Sequence, residues 1–340
     1  MDSFPPLPPE RLPQRGNIEE RQVRITELED RYAHLLLDNS DKKRLLKDKA
    51  NIQKLLAEEY TEAFAYDKAV EAYKKAIALQ KILLANNEIQ GELLFNLAMV
   101  YHRNQQFDNS LALFQNCKLI STEENYGVIY HGIGVVYAEQ RSWSLALLNY
   151  RQALSWNKKV GKLQGLGTTH FQIGILYVEQ EEWVLALYHY RKSITLDQES
   201  GNEYMRGSTY SQIGKVYAKQ YQWGLALENF KQAVLWKQEH GSEFSVGITY
   251  YQIGQAYQEQ GESNLALKAY QDALEWDTKT GNDIQLGTIC FQIGTVYELQ
   301  EKFSEAQEWY EKAMINLARY DHPAHPIAAA ALGRVWEAQD

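Results

Sequence analysis

The sequence predicts an all-α fold, a solenoid of stacked helical hairpins, and three observations predict it. Five of the seven prolines lie within the first thirteen residues and the next is Pro323, so about three hundred residues lack the strongest helix breaker. One pattern of small and aromatic residues recurs seven times, mostly at a period of 40 residues. The composition, 45% hydrophobic and 12% aromatic, is sufficient to bury a continuous core.

The N-terminal part has two predicted regions. Residues 1–16, which contain PPLPP, are predicted to form a disordered, partly polyproline arm, with docking to a proline-recognising groove as the alternative. Residues 17–49 are predicted to form flanking helices, because apolar residues within 18–37 recur at spacings of three and four: Ile25, Leu28, Tyr32 and Leu35. This stripe either caps the first repeat or mediates dimerisation or partner binding. Residues 39–41 supply N-cap chemistry for the second helix.

The repeats occupy residues 50–322, seven hairpins that each contain one tyrosine of the first helix: Tyr60, Tyr101, Tyr137, Tyr177, Tyr217, Tyr257 and Tyr297. Three positions before each tyrosine stands a small residue, where only a small side chain allows the two helices to approach closely: Ala57, Ala98, Gly134, Gly174, Gly214, Gly254 and Gly294. After the tyrosine come a small residue, an aromatic residue and a second small residue of the second helix, such as Ala266, Tyr270 and Ala273.

Glycine pairs end the long repeats, and the first glycine of each pair suits the left-handed residue that follows a helix: Gly161 and Gly167, Gly201 and Gly207, Gly241 and Gly247, Gly281 and Gly287. Asn202, Ser242 and Asn282 follow three of these glycines as candidate N-caps, so the extra residues are predicted to lengthen helices. The second glycine is predicted to allow close backbone packing. Residues 323–340 copy a first helix without its second, which predicts a terminal capping half-repeat.

These motifs resemble the tetratricopeptide repeat: its small-x-x-Tyr, followed by Ala-x-x-x-aromatic-x-x-Ala, recurs in this order. The long period and the Gln-Ile-Gly tripeptides, such as 252–254, are similar to the long repeats of the Leu-Gly-Asn group of G-protein-signalling modulators. The resemblance implies a right-handed α-α superhelix whose first helices line a concave groove. It also implies that the chain is a non-enzymatic scaffold or adaptor that binds a peptide segment of another protein in that groove.

Mapping the family's groove positions onto this chain gives candidate binding residues: Phe95, Asn96, Phe171, Gln172, Gln212, Lys215, Lys219, Tyr251, Gln252, Phe291 and Gln292. An amide both donates and accepts hydrogen bonds, so a row of amides suits an extended backbone. The aromatics would supply apolar pockets and the two lysines a positive spot. Alternatively, the amides bond only to neighbouring helices. The family's two-carboxylate clamp is not matched, because Glu58, Val128 and Gly132 stand at positions that need Asn, Lys and Arg.

Composition and missing motifs exclude other function classes. GxxxxGK, GxGxxG, HExxH and CxxC are all absent, so we predict no enzyme activity, no cofactor and no metal. A net charge of -9 argues against nucleic-acid binding, and no apolar run reaches the ~18 residues of a membrane span. Cys117 and Cys290 stand at core positions and are predicted to be buried free thiols, in keeping with a cytoplasmic protein that has no signal pattern. The alternative function is a self-assembling structural protein, so a homo-oligomer is possible.

Overall fold

The computed structural model describes residues 15–37, 42–83, 87–202, 205–240, 244–280, 283–318 and 324–338. Throughout these ranges the regular structure is helical, with no strand. The helices are α1 (Arg15–Leu37), α2 (Lys42–Glu62), α3 (Tyr66–Ile82), α4 (Asn87–Arg103), α5 (Phe107–Ile120), a 3-10 turn (Glu123–Asn125), α6 (Tyr126–Glu139), α7 (Trp143–Lys159), α8 (Leu163–Glu179), α9 (Trp183–Ser200), α10 (Arg206–Lys219), α11 (Trp223–Glu239), α12 (Phe244–Glu259), α13 (Ser263–Thr280), α14 (Asp283–Leu299), α15 (Phe303–Ala318) and α16 (His325–Glu337). The predicted all-α hairpin fold is confirmed.

The chain divides into two compact units, Met1–Gln180 with α1 to α8 and Glu181–Asp340 with α9 to α16. In the first unit the hairpins are α2 with α3, α4 with α5 and α6 with α7. In the second unit they are α10 with α11, α12 with α13 and α14 with α15. We call the first helix of each hairpin an A helix and the second a B helix. In sequence pattern α8 and α16 are A helices and α9 is a B helix.

The core of each hairpin is a small residue of the A helix facing an aromatic ring of the B helix. A Cβ atom at Gly254 would lie 2.5 Å from the ring of Tyr270, and one at Gly134 would lie 2.6 Å from the ring of Tyr150. The aromatic residues are almost fully buried, and the alanines of the B-helix pattern, such as Ala266, have no exposed surface. The small-residue prediction is therefore confirmed, because even a Cβ atom would clash at these glycines, and the two hairpins that differ have fully buried alanines there, Ala57 and Ala98.

The second glycines also allow close contact between an A helix and a B helix. At Gly247 a Cβ atom would lie 2.1 Å from the Asp277 carboxylate, and at Gly207 it would lie 2.8 Å from Lys237. The prediction that close packing explains these glycines is confirmed there. The B-helix residues that these two glycines contact, Asp277 and Lys237, are buried and charged. Lys237 is part of the site described below.

The turn between an A helix and its B helix has the same geometry in every repeat. The fourth residue after each A-helix tyrosine has positive φ: Phe64, Gln105, Arg141, Glu181, Tyr221, Gly261 and Glu301. The next amide then donates to the tyrosine carbonyl, as Lys302 does to Tyr297 at 3.0 Å, and closes the helix end. Glycine occupies this left-handed position in one of the seven copies. Most of these turns therefore hold a residue with a side chain where glycine is favoured.

The returns from B helices to A helices match the prediction in part. Gly161 and Gly201 have the predicted positive φ. Asn202 is not an N-cap, because α10 begins only at Arg206 and the Asn202 side chain donates to the Asp197 carboxylate at 3.2 Å. The corresponding positions 241, 242, 281 and 282 lie outside the described residues, as do the predicted N-cap residues 39–41 and most of the N-terminal arm.

Both ends of the helix array are packed against their neighbours. The apolar stripe of α1 joins the core of the first hairpin, where Ile25 is 4% exposed, and the guanidinium of Arg24 bonds the Glu59 carboxylate at 3.0 Å. At the other end, α16 packs Leu332 and Val335 against the α15 core. The predicted stripe of α1 is thus occupied within its own unit, as a capping helix requires.

Candidate functional site

Neighbouring A helices are joined side by side through polar contacts. In the first unit the Lys54 ammonium of α2 lies 2.7 Å from the Glu92 carboxylate of α4, and His131 Nδ1 of α6 lies 3.1 Å from the Thr169 hydroxyl of α8. In the second unit the Tyr251 side chain of α12 hydrogen-bonds Gln292 of α14. We call the surface that the A helices of one unit share the A-helix face of that unit. It carries the candidate residues in each unit.

The predicted aromatic anchors lie deeper than expected. Phe95 is 2% exposed and packs edge-on against the Phe114 ring at 5.5 Å, and Phe171 is 8% exposed. In the second unit Tyr251 and Phe291 are half-buried, and they pack on the Tyr270 and Tyr310 rings of their B helices. We therefore correct the prediction for Phe95 and Phe171. Phe95 belongs to the buried core around Phe114, and Phe171 is buried as well, so neither ring forms an open apolar pocket.

The predicted row of amides is half-buried along the A-helix face: Asn96, Gln172, Gln212, Gln252 and Gln292. Two of them bond within the protein, Asn96 to Tyr73 and Gln292 to Tyr251. The Gln252 carbonyl oxygen, in contrast, is buried and has no hydrogen-bond donor in the part of the chain that the structure describes. The alternative of bonding between neighbouring helices therefore holds for Asn96 and Gln292, whereas no such bond is shown for the Gln252 oxygen.

The predicted positive spot consists of two exposed lysines, Lys215 and Lys219 of α10. Surrounding protein atoms desolvate the Lys215 ammonium and lower its pKa. The Lys215 side chain is exposed, and neighbouring protein atoms exclude part of the water around its ammonium. A carboxylate held there would be attracted more strongly than at a flat surface, because less water screens the charges.

A third lysine of this site was missed from the sequence. Lys237 of α11 is 6% exposed, and its ammonium donates to the hydroxyls of Ser211 and Thr249, at 3.0 and 2.7 Å, and to the Ser245 carbonyl at 3.2 Å. Desolvation and the positive charge of Lys215 lower the pKa of Lys237 to about 7. Lys237 therefore joins α11 to both neighbouring A helices, α10 and α12.

The signal for this position was present in the repeat alignment. Counting in steps of 40, the residues at this place in helix B are Asn157, Asp197, Lys237, Asp277 and Leu317. All five are buried, and the first four are polar or charged. A polar residue that recurs next to the second glycine indicates a buried hydrogen-bonding position. Lys237 is the one basic residue among these five, so its repeat carries a positive charge where the two repeats beside it carry an aspartate.

Two segments of the chain match the tetratricopeptide repeat. The family model covers residues 90–159 and 245–319. The predicted likeness to the tetratricopeptide repeat is confirmed for these segments, and the finer likeness to the Leu-Gly-Asn group stays a prediction. No curated protein matches the chain in sequence.

Several solved structures are similar in fold. The Signal Transduction ATPase with Numerous Domains protein with a tetratricopeptide repeat sensor from Pyrococcus horikoshii superposes with a TM-score of 0.69 at 15% identity, covering 93% of this chain and 49% of that one. The chain thus spans about half the length of that protein. Aspartyl phosphate phosphatase F from Bacillus subtilis gives 0.58 at 13% identity, with 98% and 96% covered. A Rap protein complexed with competence and sporulation factor gives 0.57 at 13% identity, with 94% and 98% covered. At these identities the likeness concerns the fold.

The described residues contain neither a membrane-spanning helix nor a metal-binding cluster. None of the helices there combines the length and apolar character needed to cross a membrane. Within the same ranges no group of three His, Cys, Asp or Glu side chains is arranged to hold a metal ion. Cys117 and Cys290 are buried free thiols, as predicted, and burial raises the pKa of each to about 11.

Proposed function

We propose that the protein is a non-enzymatic interaction scaffold that binds a peptide segment of a partner protein on the A-helix face. The observation that carries the proposal is the second unit's combination of exposed Lys215 and Lys219 with the half-buried amides Gln212 and Gln252 and the half-buried ring of Tyr251. The amides hydrogen-bond to the ligand backbone, the ring packs against an apolar side chain of the ligand, and the lysines pair with a ligand carboxylate. No step of this kind of binding requires a cofactor or a metal.

The chemistry of the face defines the ligand. Lys215 and Lys219 lie one helical turn apart on α10, so a single acidic side chain can contact both ammonium groups. Tyr251 on α12 and Phe291 on α14 each keep part of a ring exposed. We infer that the partner segment carries an acidic residue next to one or two apolar residues, either extended or as one face of a helix.

Two further observations bear on the choice of function. A Rap protein of similar fold forms a complex with competence and sporulation factor, so this arrangement of hairpins is compatible with ligand binding. The alternative, self-assembly through the N-terminal helix, is less favoured because the apolar stripe of α1 already packs against α2. Self-assembly through the faces of the terminal repeats stays the alternative function.

The test begins with selection of short peptides from a random phage-displayed library on the immobilised full chain. Selected peptides should share an acidic residue with apolar neighbours. Calorimetric titration of a selected peptide then compares two variants of the site with one control variant. Lys215→Glu should weaken binding by about tenfold and reduce its salt dependence, because the new carboxylate cancels the attraction of Lys219 for the acidic ligand. Tyr251→Ala should cost about 2 kcal/mol of binding if the ring is a packed anchor.

The matched control is Glu228→Ala on α11, an exposed residue of a B helix. Each variant is also melted, so that a folding defect caused by the lost contact of Tyr251 with Tyr270 is separated from a binding defect. The proposal fails if the control weakens binding while Lys215→Glu and Tyr251→Ala leave it unchanged, or if no peptide family is enriched.

A further inference from the structure

A cleft lies in the first unit, apart from the second-unit residues of the peptide site proposed above, and it includes the Lys54–Glu92 pair. It is formed by the first half of α2, the end of α3 and the beginning of α4, and it encloses about 600 Å³. This volume is within the range of about 300 to 1,000 Å³ that is typical of ligand pockets. Its apolar wall comes from α3 and α4 and includes Leu83 and Ile89, the latter 40% exposed.

The opposite wall is strongly cationic. Lys43, Arg44, Lys47 and Lys54 all line the cleft from α2, whereas Glu92 is the one carboxylate among its described lining residues. The Glu92 carboxylate is already held by the Lys54 ammonium at 2.7 Å. Within the described residues Lys47 forms no ion pair. The charge of this wall is thus positive, although the whole chain carries -9.

These cations lie near the amino end of α2, where positive charge destabilises a helix. Residues 42–54 contain six Lys or Arg and one Asp, and the first turn of α2 contains no acidic residue. The amino end of a helix is itself positive, so cations there are unfavourable by a few tenths of a kcal/mol each. An anion bound in the cleft would reverse that effect, because it would interact favourably with both the cations and the helix dipole.

We infer that this cleft binds an acidic peptide segment, one that carries several Asp or Glu residues around an apolar side chain. The cations of α2 receive the carboxylates, and the wall with Leu83 and Ile89 receives the apolar side chain. A peptide fits better than a nucleic acid, because the second half of α2 carries Glu58, Glu59 and Glu62, which would repel an extended polyanion running along the helix. A flat anionic membrane cannot follow a concave wall. The site differs from the A-helix face of the second unit and does not depend on it.

The experiment uses fluorescence anisotropy with the full chain and two labelled peptides. One is a peptide of about ten residues, Asp and Glu with one central Leu, and the other replaces every acid by its amide. The acidic peptide should bind and the amide peptide should not. The variant Lys43→Gln/Lys47→Gln should weaken binding by about tenfold, since two ion pairs are removed at once.

The matched control, Lys75→Gln/Lys158→Gln, removes the same charge from exposed sites on α3 and α7 and should change binding by less than about twofold. Lys215→Glu should leave binding intact, which separates this site from the one proposed above. Circular dichroism confirms that each variant is folded. Equal binding of both peptides, or an equal loss in both double variants, overturns the inference. Tighter Lys47-dependent binding of single-stranded DNA or of anionic vesicles would show that the ligand class is wrong.

Discussion

Replacing the buried lysine by an apolar side chain of similar length, Lys237→Met, should stabilise the protein at mildly acidic pH. Lys237 is 6% exposed, and its ammonium is surrounded by neutral oxygens of Ser211, Ser245 and Thr249. Removing it leaves those groups with partners, since the Thr249 hydroxyl donates to the Ser245 carbonyl at 3.0 Å and lies 3.4 Å from the Ser211 hydroxyl. The substitution therefore removes a desolvated charge without leaving buried hydroxyls unpaired.

The magnitude follows from the lowered pKa of Lys237. Burial and the charge of Lys215 lower it from 10.5 to about 7 in the folded protein. Between about pH 7 and pH 10.5 the unfolded chain therefore binds more protons than the folded chain, and stability rises with pH in that window. With about 1.4 kcal/mol for each pKa unit, the free energy of unfolding of the native sequence should rise by about 2 to 3 kcal/mol between about pH 6 and pH 9. The Met variant lacks this rise and should be more stable by about 1 to 4 kcal/mol at about pH 6.

Urea unfolding followed by far-ultraviolet circular dichroism, repeated across this pH range, measures the effect. Lys231→Met on the same helix is the control, because Lys231 is exposed and the variant should keep the pH dependence of the native sequence. Lys215→Gln should lower part of the effect, because it removes the repulsion that contributes to the shift. If native and Lys237→Met proteins show parallel pH dependence, or if the Met variant is the less stable at about pH 6, the hydrogen bonds of the ammonium outweigh its desolvation and the reasoning is refuted.

Three further predictions concern the hairpins. Gly254→Ala should lower the free energy of unfolding by about 1 to 3 kcal/mol, since its Cβ would lie 2.5 Å from the Tyr270 ring; an unchanged urea midpoint would contradict the packing. Glu301→Gly should raise the free energy of unfolding by about 0.5 to 1 kcal/mol, because φ of 61° is left-handed; a lower urea midpoint would show that no strain is stored in this turn. Cys117 and Cys290, with the pKa of each thiol raised to about 11, should react with a thiol reagent at about pH 8 only after urea is added; rapid labelling of the folded chain would show that they are accessible.

The sequence alone was sufficient for the features that are local to one hairpin. The glycine before each A-helix tyrosine and the aromatic residue of the B helix, such as Gly254 and Tyr270, must touch because a short turn joins their helices. The left-handed glycines Gly161 and Gly201 follow from the chemistry of a helix end, which depends on a few consecutive residues. Repetition of these local requirements seven times predicted the fold class.

Tertiary structure decided the depth and the partners of the site residues. Phe95 and Phe171 have the spacing of exposed groove residues, yet both are buried, because exposure depends on the packing around each ring and not on its position in the repeat. Asn202 had the residue type of an N-cap, but the start of α10 four residues later leaves its side chain bonded to Asp197. Binding by the amides and lysines of the A-helix face stays a prediction, since a repeat pattern does not contain the ligand.

The two features with the clearest electrostatic consequences required the three-dimensional arrangement. Lys237 contacts residues 26 positions before it and 12 positions after it, and its low pKa comes from the absence of water there, which no pattern of residue types specifies. The cationic cleft likewise combines α2, α3 and α4, and only their packing brings Lys47 to face Leu83 and Ile89. Local rules determined which residues form helices and hairpins, whereas desolvation and the meeting of distant helices determined which charges act together.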